Sequence, residues 1–470
     1  MSRLTDSAIR STSPQTHAVV MGGSIAGLLA ARVLLNHFER VTLLERDQFP
    51  DQPIPRAGVP QGHHVHALLM QGQQILEKLF PGIIQELIQS GAMSMDWIAD
   101  WKFLGIDGWL EQHQSGLNGL SCTRLLLEWQ VRQRLMVNQR LHLRSGAVVQ
   151  GLTIDEQPHP CITGISLRGT SSDAEPEWVD ADLVVDATGR NSKLPQWLAS
   201  LGYEKPPETT VNSFLGYASR WYRQPKEAIA QGIIISSKPG ETTRGGVCYP
   251  VEGDRWIVTL SGISGDHPPD DEAGFLAFAK SLRDSSLHTA IQSAEPCSPI
   301  RSYRRTENQW RHYEQLNAMP QGIVALGDAV CCFNPVYGQG MTAAAIGAMT
   351  LNECLQHTSG ITQRSRWEQI FQQRLAKALE TPWFMATGED FRWEQTQGQR
   401  PGWPTTLLQG YFDRVLKLSE TNANAHRAFI EVAHLIKSPT VLFTPCLLWD
   451  MLGPLPQATH KHAPDVKELA

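Results

Sequence analysis

Hydrophobic positions along this chain follow two rhythms. Apolar runs come at 18–21, at 41–44 (broken only by Thr42), in the stretch ending at Asp186 and at 323–326, and a longer Leu- and Ala-rich segment over about 25–38 separates the first two. A short run without alternation is a strand covered on both faces, so the N-terminus reads as a strand, a helix and a second strand of a parallel sheet. Between about 212 and 263 the rhythm changes: "SFLGYASRWY", "GIIISSK", "GGVCYPV" and "RWIVTLSG" alternate apolar and polar residues between Gly and Pro turns. That alternation predicts an antiparallel sheet. Beyond about 355 the chain turns helical and Trp-rich. The predicted class is α/β, with a parallel-sheet domain at 17–205, to whose ligand-facing side 85–120 adds, an α+β antiparallel-sheet domain at 206–300, a return to the first domain at 301–355 and a helical region at 356–470.

Composition narrows the partners. A formal charge of -6, from 41 basic and 47 acidic residues, with no Lys/Arg run, excludes the basic surface that nucleic acid requires. The eight Cys show no C-x-x-C spacing and the chain has no Asn-x-Ser/Thr sequon, which predicts buried thiols in a reducing cytoplasm. No apolar run approaches the roughly 20 residues of a membrane span. The polar N-terminal stretch lacks the apolar core of a signal peptide and reads as a lead-in. Fourteen Trp hint at a roomy apolar interior.

The first candidate chemistry lies in the turn after the first strand. The dinucleotide fingerprint G-x-G-x-x-G appears as Gly22-Gly23-Ser24-Ile25-Ala26-Gly27, with Ser24 in place of the second Gly. Gly22 can turn tightly, and residues from Gly23 to Ala26 offer free N–H groups and a positive helix end to a pyrophosphate. Gly27 lets the helix sit close on its strand. Glu45, about twenty residues on, would accept from the adenosine ribose hydroxyls and repel a 2′-phosphate. The unit predicts a Rossmann-like dinucleotide site and leaves open which dinucleotide it takes.

Two later turns narrow the choice. "DLVVDATGRNS" ends a strand in Asp186, followed by Thr188-Gly189, and "IVALGDAVCCFNPVYGQGM" ends another in Gly327-Asp328. An Asp at a strand's end can accept from a ribityl hydroxyl. Pro335 fixes φ and removes a donor, so a flat ring can lie against the backbone, while the turn through Gly338, Gln339 and Gly340 permits close approach. A helix starting near Met341 aims its N–H groups at that ring, where they favour the negative charge of a reduced flavin. A nicotinamide-only enzyme has no use for this element, so FAD is the predicted cofactor.

The trio "GGSIAG…LLERD", "DLVVDATGRNS" and "GDAVCCFNPVYGQGM" resembles the FAD-dependent monooxygenases of the aromatic-hydroxylase fold. It is most similar to their branch of squalene-epoxidase-like and polyether-type bacterial epoxidases, over about residues 17–355. The resemblance implies that Gly22, Ser24, Gly27, Glu45 and Arg46 hold the ADP half. It also implies that Arg124 lies beside the diphosphate and that backbone at Val148 or Val149 meets the adenine. The implied activity passes one oxygen atom of O2, through a flavin hydroperoxide, to a hydrophobic alkene or aromatic ring, in secondary metabolism on a polyketide or isoprenoid. Such transfer requires no acid or base side chain. One departure stands out: Thr188-Gly189 takes the place of the family's Asp-Gly, and Pro195 that of an Arg. No second fingerprint exists, so electrons are expected from transiently docked NAD(P)H, NADH or NADPH, or from a separate flavin reductase.

The antiparallel sheet would wall the substrate pocket, with Tyr217, Trp221, Tyr249 and Trp256 as candidate linings, and His66 and Pro335 as further pocket candidates. His63, His64 and His66 have no Cys, Asp or Glu at ligand spacing, so no metal is expected. "VLFTPCLLWDMLGPLP" is too short to cross a bilayer and is expected to dock on the protein body in preference to a membrane surface, and His460 and His462 are expected to be solvated. Three rivals share the motifs. They are a geranylgeranyl-reductase-like alkene reductase, a flavin halogenase whose W-x-W-x-I-P signature is missing here, and a non-catalytic binder of lipidated proteins.

Overall fold

The structure is a computed structural model describing residues 16–105, 107–155, 160–169, 175–226, 231–357 and 367–452. The N-terminal lead-in, save its last residue, and the His460/His462 tail lie outside these residues. In chain order, the elements that matter to the site are strand β1 (His17–Met21), helix α1 (Ile25–Leu34), β2 (Arg40–Glu45), α2 (Arg124–Met136), β3 (Leu141–Ser145) and β4 (Leu183–Asp186). They continue with β5 (Gly216–Arg223), β6 (Gly232–Ile235), β7 (Arg244–Val251), β8 (Arg255–Gly262), β9 (Arg301–Tyr303), β10 (Ile323–Ala325), α3 (Gly340–His357) and α4 (Trp367–Asp390).

The apolar runs form a parallel sheet in the order β10-β4-β1-β2-β3. β1, β4 and β10 are buried along their whole length, as strands covered on both faces must be. From β1 the chain steps to β2 and β3 on one side and to β4 and β10 on the other. A crevice therefore opens at the carboxyl end of β1, the switch point at which such sheets bind ligands. The edge strand β10 is braced by α4: Gly322 N donates to Glu368 Oε1 at 2.8 Å, and Gln372 Nε2 donates to Ala325 O at 3.0 Å.

The alternating segments form a second sheet, β9-β5-β8-β7-β6, with Trp101–Leu104 pairing parallel to β6 at the far edge. Thus Trp101–Leu104, within 85–120, joins this sheet, and so does β9, past the boundary at 300 that the sequence suggested. Register places Ser219 opposite Thr259, and Trp221 and Tyr249 opposite Ile257. With a side-chain period of two, Tyr217, Ser219, Trp221 and Tyr249 share the face toward the crevice. Trp256 lies on the other face with Tyr222 and Val258, packed on Phe275 and Phe278, so it lines no pocket and covers the domain's own helix.

Among the described residues no helix is long and apolar enough to cross a membrane. The C-terminal apolar segment docks on the body through Leu442, Leu447 and Met451, which pack on Val415 and Leu418. Of the eight cysteines, Cys297 and Cys446 are exposed, against the expectation that all are buried.

Candidate functional site

The three turns meet at the carboxyl ends of β1, β4 and β10. A Cβ at Gly22 would lie 2.4 Å from Ala187 O, one at Gly327 would lie 2.7 Å from Ala26 Cβ, and one at Gly189 would lie 3.9 Å from Asp328 Cβ. Each turn therefore touches the other two. Gly22 has φ +102°, a conformation that only Gly adopts without strain, and its N–H donates to Leu44 O at 2.8 Å. A Cβ at Gly27 would sit 1.7 Å from Gly22 O. Helix α1 can start this close to the turn only because that atom is missing.

At the head of α1, Ser24 has the extended backbone of a cap, yet its hydroxyl makes no capping bond. Ser24 Oγ instead donates to Glu128 Oε2 and accepts from Arg124 Nη2, both at 2.8 Å. The first turn of α1 thus lacks a side-chain acceptor, which leaves its positive end for an anion. Arg124 Nε is buried without a hydrogen-bond partner and lies 3.7 Å from Glu128 Oε2, with which it is ion-paired. Arg56 stands beside it, with Nη1 2.8 Å from Glu45 Oε2 and Nη2 2.7 Å from Glu128 Oε1 and 3.2 Å from Gly23 O. Neither Arg56 nor Glu128 was expected from the sequence. Glu128 carried one usable signal, its place one helical turn after Arg124.

Glu45 is buried and already engaged. Oε2 accepts from Gly23 N and Oε1 from Asp47 N, each at 3.0 Å. Its carboxylate fixes the fingerprint turn, and Oε1 keeps a lone pair for a ribose hydroxyl. Arg46 is exposed. Ala147 N donates to Glu45 O at 2.8 Å, which sets half-buried Val148 and Val149 next to Glu45, and Val148 O accepts from Arg168 N.

Asp186 is fully buried. Its Oδ1 accepts from Thr188 N at 2.9 Å and Thr188 Oγ1 at 2.5 Å, and its Oδ2 accepts from Ser192 Oγ. Burial pushes its carboxyl above the ordinary range. Expected as a cofactor ligand, Asp186 instead shapes the turn that presents Gly189. Asp328 is the contrasting case. It is half-buried, its carboxylate has no protein hydrogen-bond partner among the described residues, and a Cβ at Gly340 would lie 4.0 Å from its Oδ1. Burial pushes this carboxyl up, against the pull of Arg124 and Arg190.

Beyond Asp328 the chain makes a tight turn. Asn334 Oδ1 accepts from Val336 N, half-buried Pro335 opens the turn, Gly338 closes it at φ +65°, and α3 begins at Gly340 with Met341 buried. Gln339 is buried, and its Oε1 has no partner. What fixes this turn is Asp390, the last residue of α4, with no exposed surface. Its Oδ1 accepts from Tyr337 OH at 2.8 Å and Asn334 Nδ2 at 3.0 Å, and its Oδ2 accepts from Asn308 Nδ2 at 2.6 Å. Nothing in the local sequence marked Asp390, because its partners lie far back in the chain.

Arg124 Nε, Gln339 Oε1 and the Asp328 carboxylate are thus without hydrogen-bond partners among the described residues, Arg124 Nε facing only the Glu128 carboxylate. They offer a donor for a diphosphate, an acceptor near a ring edge and an acceptor for sugar-alcohol hydroxyls. The residues present fit a dinucleotide whose ring lies on the 335–340 turn.

The face of the second sheet toward this groove carries the pocket candidates. His64 Nδ1 bonds Ser219 Oγ at 2.8 Å, and its ring stands edge-on to Tyr217 at 4.7 Å between centroids. His66 Nδ1 donates to His64 O at 3.0 Å, which leaves neutral His66 with an acceptor at Nε2. The three histidines do not converge, and among the described residues no group of three or more metal-type side chains forms. Trp221 donates Nε1 to His63 O at 2.9 Å. Tyr249 joins an apolar aromatic cluster, 4.9 Å from Trp101, which stacks on Trp97, with His434 against Trp97 at 4.4 Å.

Burial pushes His64, His66 and His434 down to about 3, with Arg124 adding to the effect on His66. A histidine held below its ordinary value stabilises the fold fully above about pH 6.5, and that contribution is lost as pH falls toward about 3. Urea midpoints are therefore expected to fall steadily as pH drops below about 6.5. A midpoint flat over that range would contradict the burial of these rings.

No family model matches the sequence. The flavin-dependent brominase Bmp2 aligns over 93% of this chain and 100% of its own, with TM-score 0.65 and 12% identity. PqsL, a probable FAD-dependent monooxygenase from Pseudomonas aeruginosa, aligns over 80% of this chain and 98% of its own, with TM-score 0.58 and 15% identity. The fold is that of flavin-dependent monooxygenases and halogenases. In sequence, Protein Rv3254 of Mycobacterium tuberculosis (strain ATCC 25618 / H37Rv) is 33% identical over 425 residues, 87% of each chain. The chain belongs to the family of Protein Rv3254.

Proposed function

We propose that the protein is an FAD-dependent monooxygenase, an epoxidase or hydroxylase that places one atom of O2 on a hydrophobic alkene or aromatic substrate in the cytoplasm. The observation that supports this best is the groove itself, where three turns distant in sequence leave unpartnered polar groups at the positions an FAD would need. Bound FAD would supply the two-electron chemistry that activates O2.

The chain's own share is binding, orientation and exclusion of water. Arg124 and the head of α1 would hold the diphosphate, the Asp328 carboxylate would accept from a ribityl hydroxyl, and the 335–340 turn would seat the ring. Neutral His66 can accept a hydrogen bond at Nε2 without bringing a charge near the ring. The buried Trp97, Trp101 and Tyr249 cluster would back the substrate side with dry, apolar core, which suits a reaction that water would short-circuit.

Replacing Asp328 with Ala is expected to weaken FAD retention by about 1.5–3 kcal/mol with the fold intact, the worth of a hydrogen bond to a charged group. Equilibrium dialysis of flavin against the variant checks this, and an unchanged dissociation constant would refute the assigned role. An alkene reductase would use the same groove. Oxygen uptake matched to product formation supports the oxygenase, and product formed without O2 supports the reductase.

A further inference from the structure

A small antiparallel sheet joins Glu208–Val211, Asn308–Arg311 and Cys331–Cys332. Thr209 pairs with Trp310, Trp310 pairs with Cys331, and His312 N continues the ladder to Pro207 O, so Thr209, Trp310 and His312 share one face. The opposite face meets the turns of the cofactor groove. There Cys332 Sγ donates to Asp328 O at 3.0 Å and Arg311 Nη2 donates to Arg190 O at 2.8 Å. Thr209 and His312 therefore stand behind the sheet, outside the groove.

Behind the sheet three side chains are linked in series. Glu314 Oε1 lies 2.7 Å from His312 Nδ1, and His312 Nε2 lies 2.7 Å from Thr209 Oγ1. A carboxylate only accepts, so Nδ1 carries the imidazole proton and Nε2 of the neutral ring keeps its lone pair. The Thr209 hydroxyl donates to that lone pair. Trp310 stacks on the imidazole at 5.2 Å and 19°, which fixes the plane of the ring, and its buried Nε1 has no partner. The His312 and Glu314 side chains are 16% and 17% exposed and Thr209 is half-buried, so a small molecule can reach the hydroxyl. The backbone ladder already ties these strands, and a pinning contact this close to the surface adds little stability. Hydroxyl, base and orienting carboxylate, each within hydrogen-bond reach of the next, form the series that activates a nucleophile.

We propose that Thr209, His312 and Glu314 are a second, hydrolytic site, for a small activated ester. Thr209 Oγ1 attacks the carbonyl carbon while His312 Nε2 takes its proton. The Oγ1–C bond forms, the ester C–O bond breaks, and the proton passes from His312 to the departing alkoxide. Water, deprotonated by the same nitrogen, then releases the acid and restores the hydroxyl. The sum is ester and water to acid and alcohol, with no change of oxidation state. Glu314 is a positioning residue, which holds the tautomer and steadies the imidazolium.

The test is incubation of the purified full-length chain, with and without FAD, with p-nitrophenyl acetate. Release of p-nitrophenolate is followed, and the acetyl group is then located by peptide mass spectrometry, for wild type, Thr209→Val, Thr209→Ser, His312→Gln and Glu314→Gln. Wild type is expected to carry the acetyl group on Thr209, Thr209→Ser to keep adduct and turnover, and Thr209→Val to lose both with its melting temperature and FAD content unchanged. His312→Gln should slow acetylation about a hundredfold. Glu314→Gln should lower the rate at saturating ester and leave the half-saturating concentration unchanged, the split that a misaligned base produces. An acetyl group on exposed Cys297 or Cys446, or on a lysine, in place of Thr209 would overturn the proposal. So would hydrolysis unchanged in Thr209→Val or His312→Gln. The adduct on wild-type protein needs no variant to fold, and its absence from Thr209 is sufficient to refute the site. The proposal stands apart from the FAD reading, since protein that takes up no flavin tests it equally.

Discussion

Gly27→Val is expected to give protein that carries no flavin. The first branched carbon would sit 1.7 Å from Gly22 O, a backbone atom of a turn that is itself pinned by its N–H to Leu44 O. No rotamer relieves a clash that begins at Cβ, so either α1 moves off β1 or the turn rebuilds. Overpacking a tight core contact costs about 1–3 kcal/mol when side chains can yield. Here both partners are backbone, so the effect should lie at or above the top of that range. Any shift of α1 also withdraws its N-terminal N–H groups from the diphosphate position. Gel filtration after incubation with FAD, read by absorbance, together with a thermal melt, checks both effects. A yellow variant with a wild-type melting temperature would show that α1 does not pack as described.

Asp390→Ala should produce the other large effect, at a residue that touches no cofactor position. Its two oxygens collect Tyr337, Asn334 and Asn308, and Asn308 in turn holds the backbone N–H of Asn334. Truncation leaves Tyr337 OH and Asn308 Nδ2 without an acceptor and Asn334 Nδ2 with only Ser213 Oγ at 3.4 Å, a loss of about 3–5 kcal/mol in a network of this kind. It also frees the turn on which the ring would lie, so flavin affinity should fall with stability. Chemical denaturation and flavin titration of the variant test both. A variant of wild-type stability would mean that the turn holds itself.

Asp390 also carries a pH signature. Burial pushes its carboxyl up to about 6 from the ordinary 3.8, against its hydrogen-bond donors. The fold thus prefers the protonated form, whose contribution is complete below about pH 3.8 and is lost as pH rises through about 6, an effect of about 3 kcal/mol. Because the buried histidines act with the opposite sign, the quantity to measure is wild-type stability minus that of Asp390→Asn. That difference should fall by about 2 kcal/mol between about pH 4 and about pH 7. A constant difference would contradict the burial of an ionisable group there.

What could be read from the sequence was whatever is written locally. The apolar and alternating runs gave the two sheets, and the glycine turns gave the switch point, because backbone conformation at Gly22 and Gly338 demands particular residues at particular places. Long-range partners left no such trace. Arg56, Glu128 and Asp390 have ordinary neighbours in sequence, and their importance comes from what folding sets beside them. Asp186 misled for the same reason: a carboxylate at a strand end can face a ligand or lock the next turn, and only Thr188 and Ser192 folding back on it decide which. Trp256 differed from Tyr249 by strand parity, one residue position deciding whether an aromatic ring meets the crevice or the helix behind it.

The central claim is that one groove, built from three separated turns, takes one FAD. Titrating purified protein with FAD while following flavin fluorescence and absorbance tests it directly. The account predicts saturable uptake of one FAD per chain, weakened in Asp328→Ala and abolished in Gly27→Val. Protein that remains colourless at saturating FAD, or that binds it equally well in all three forms, would contradict it.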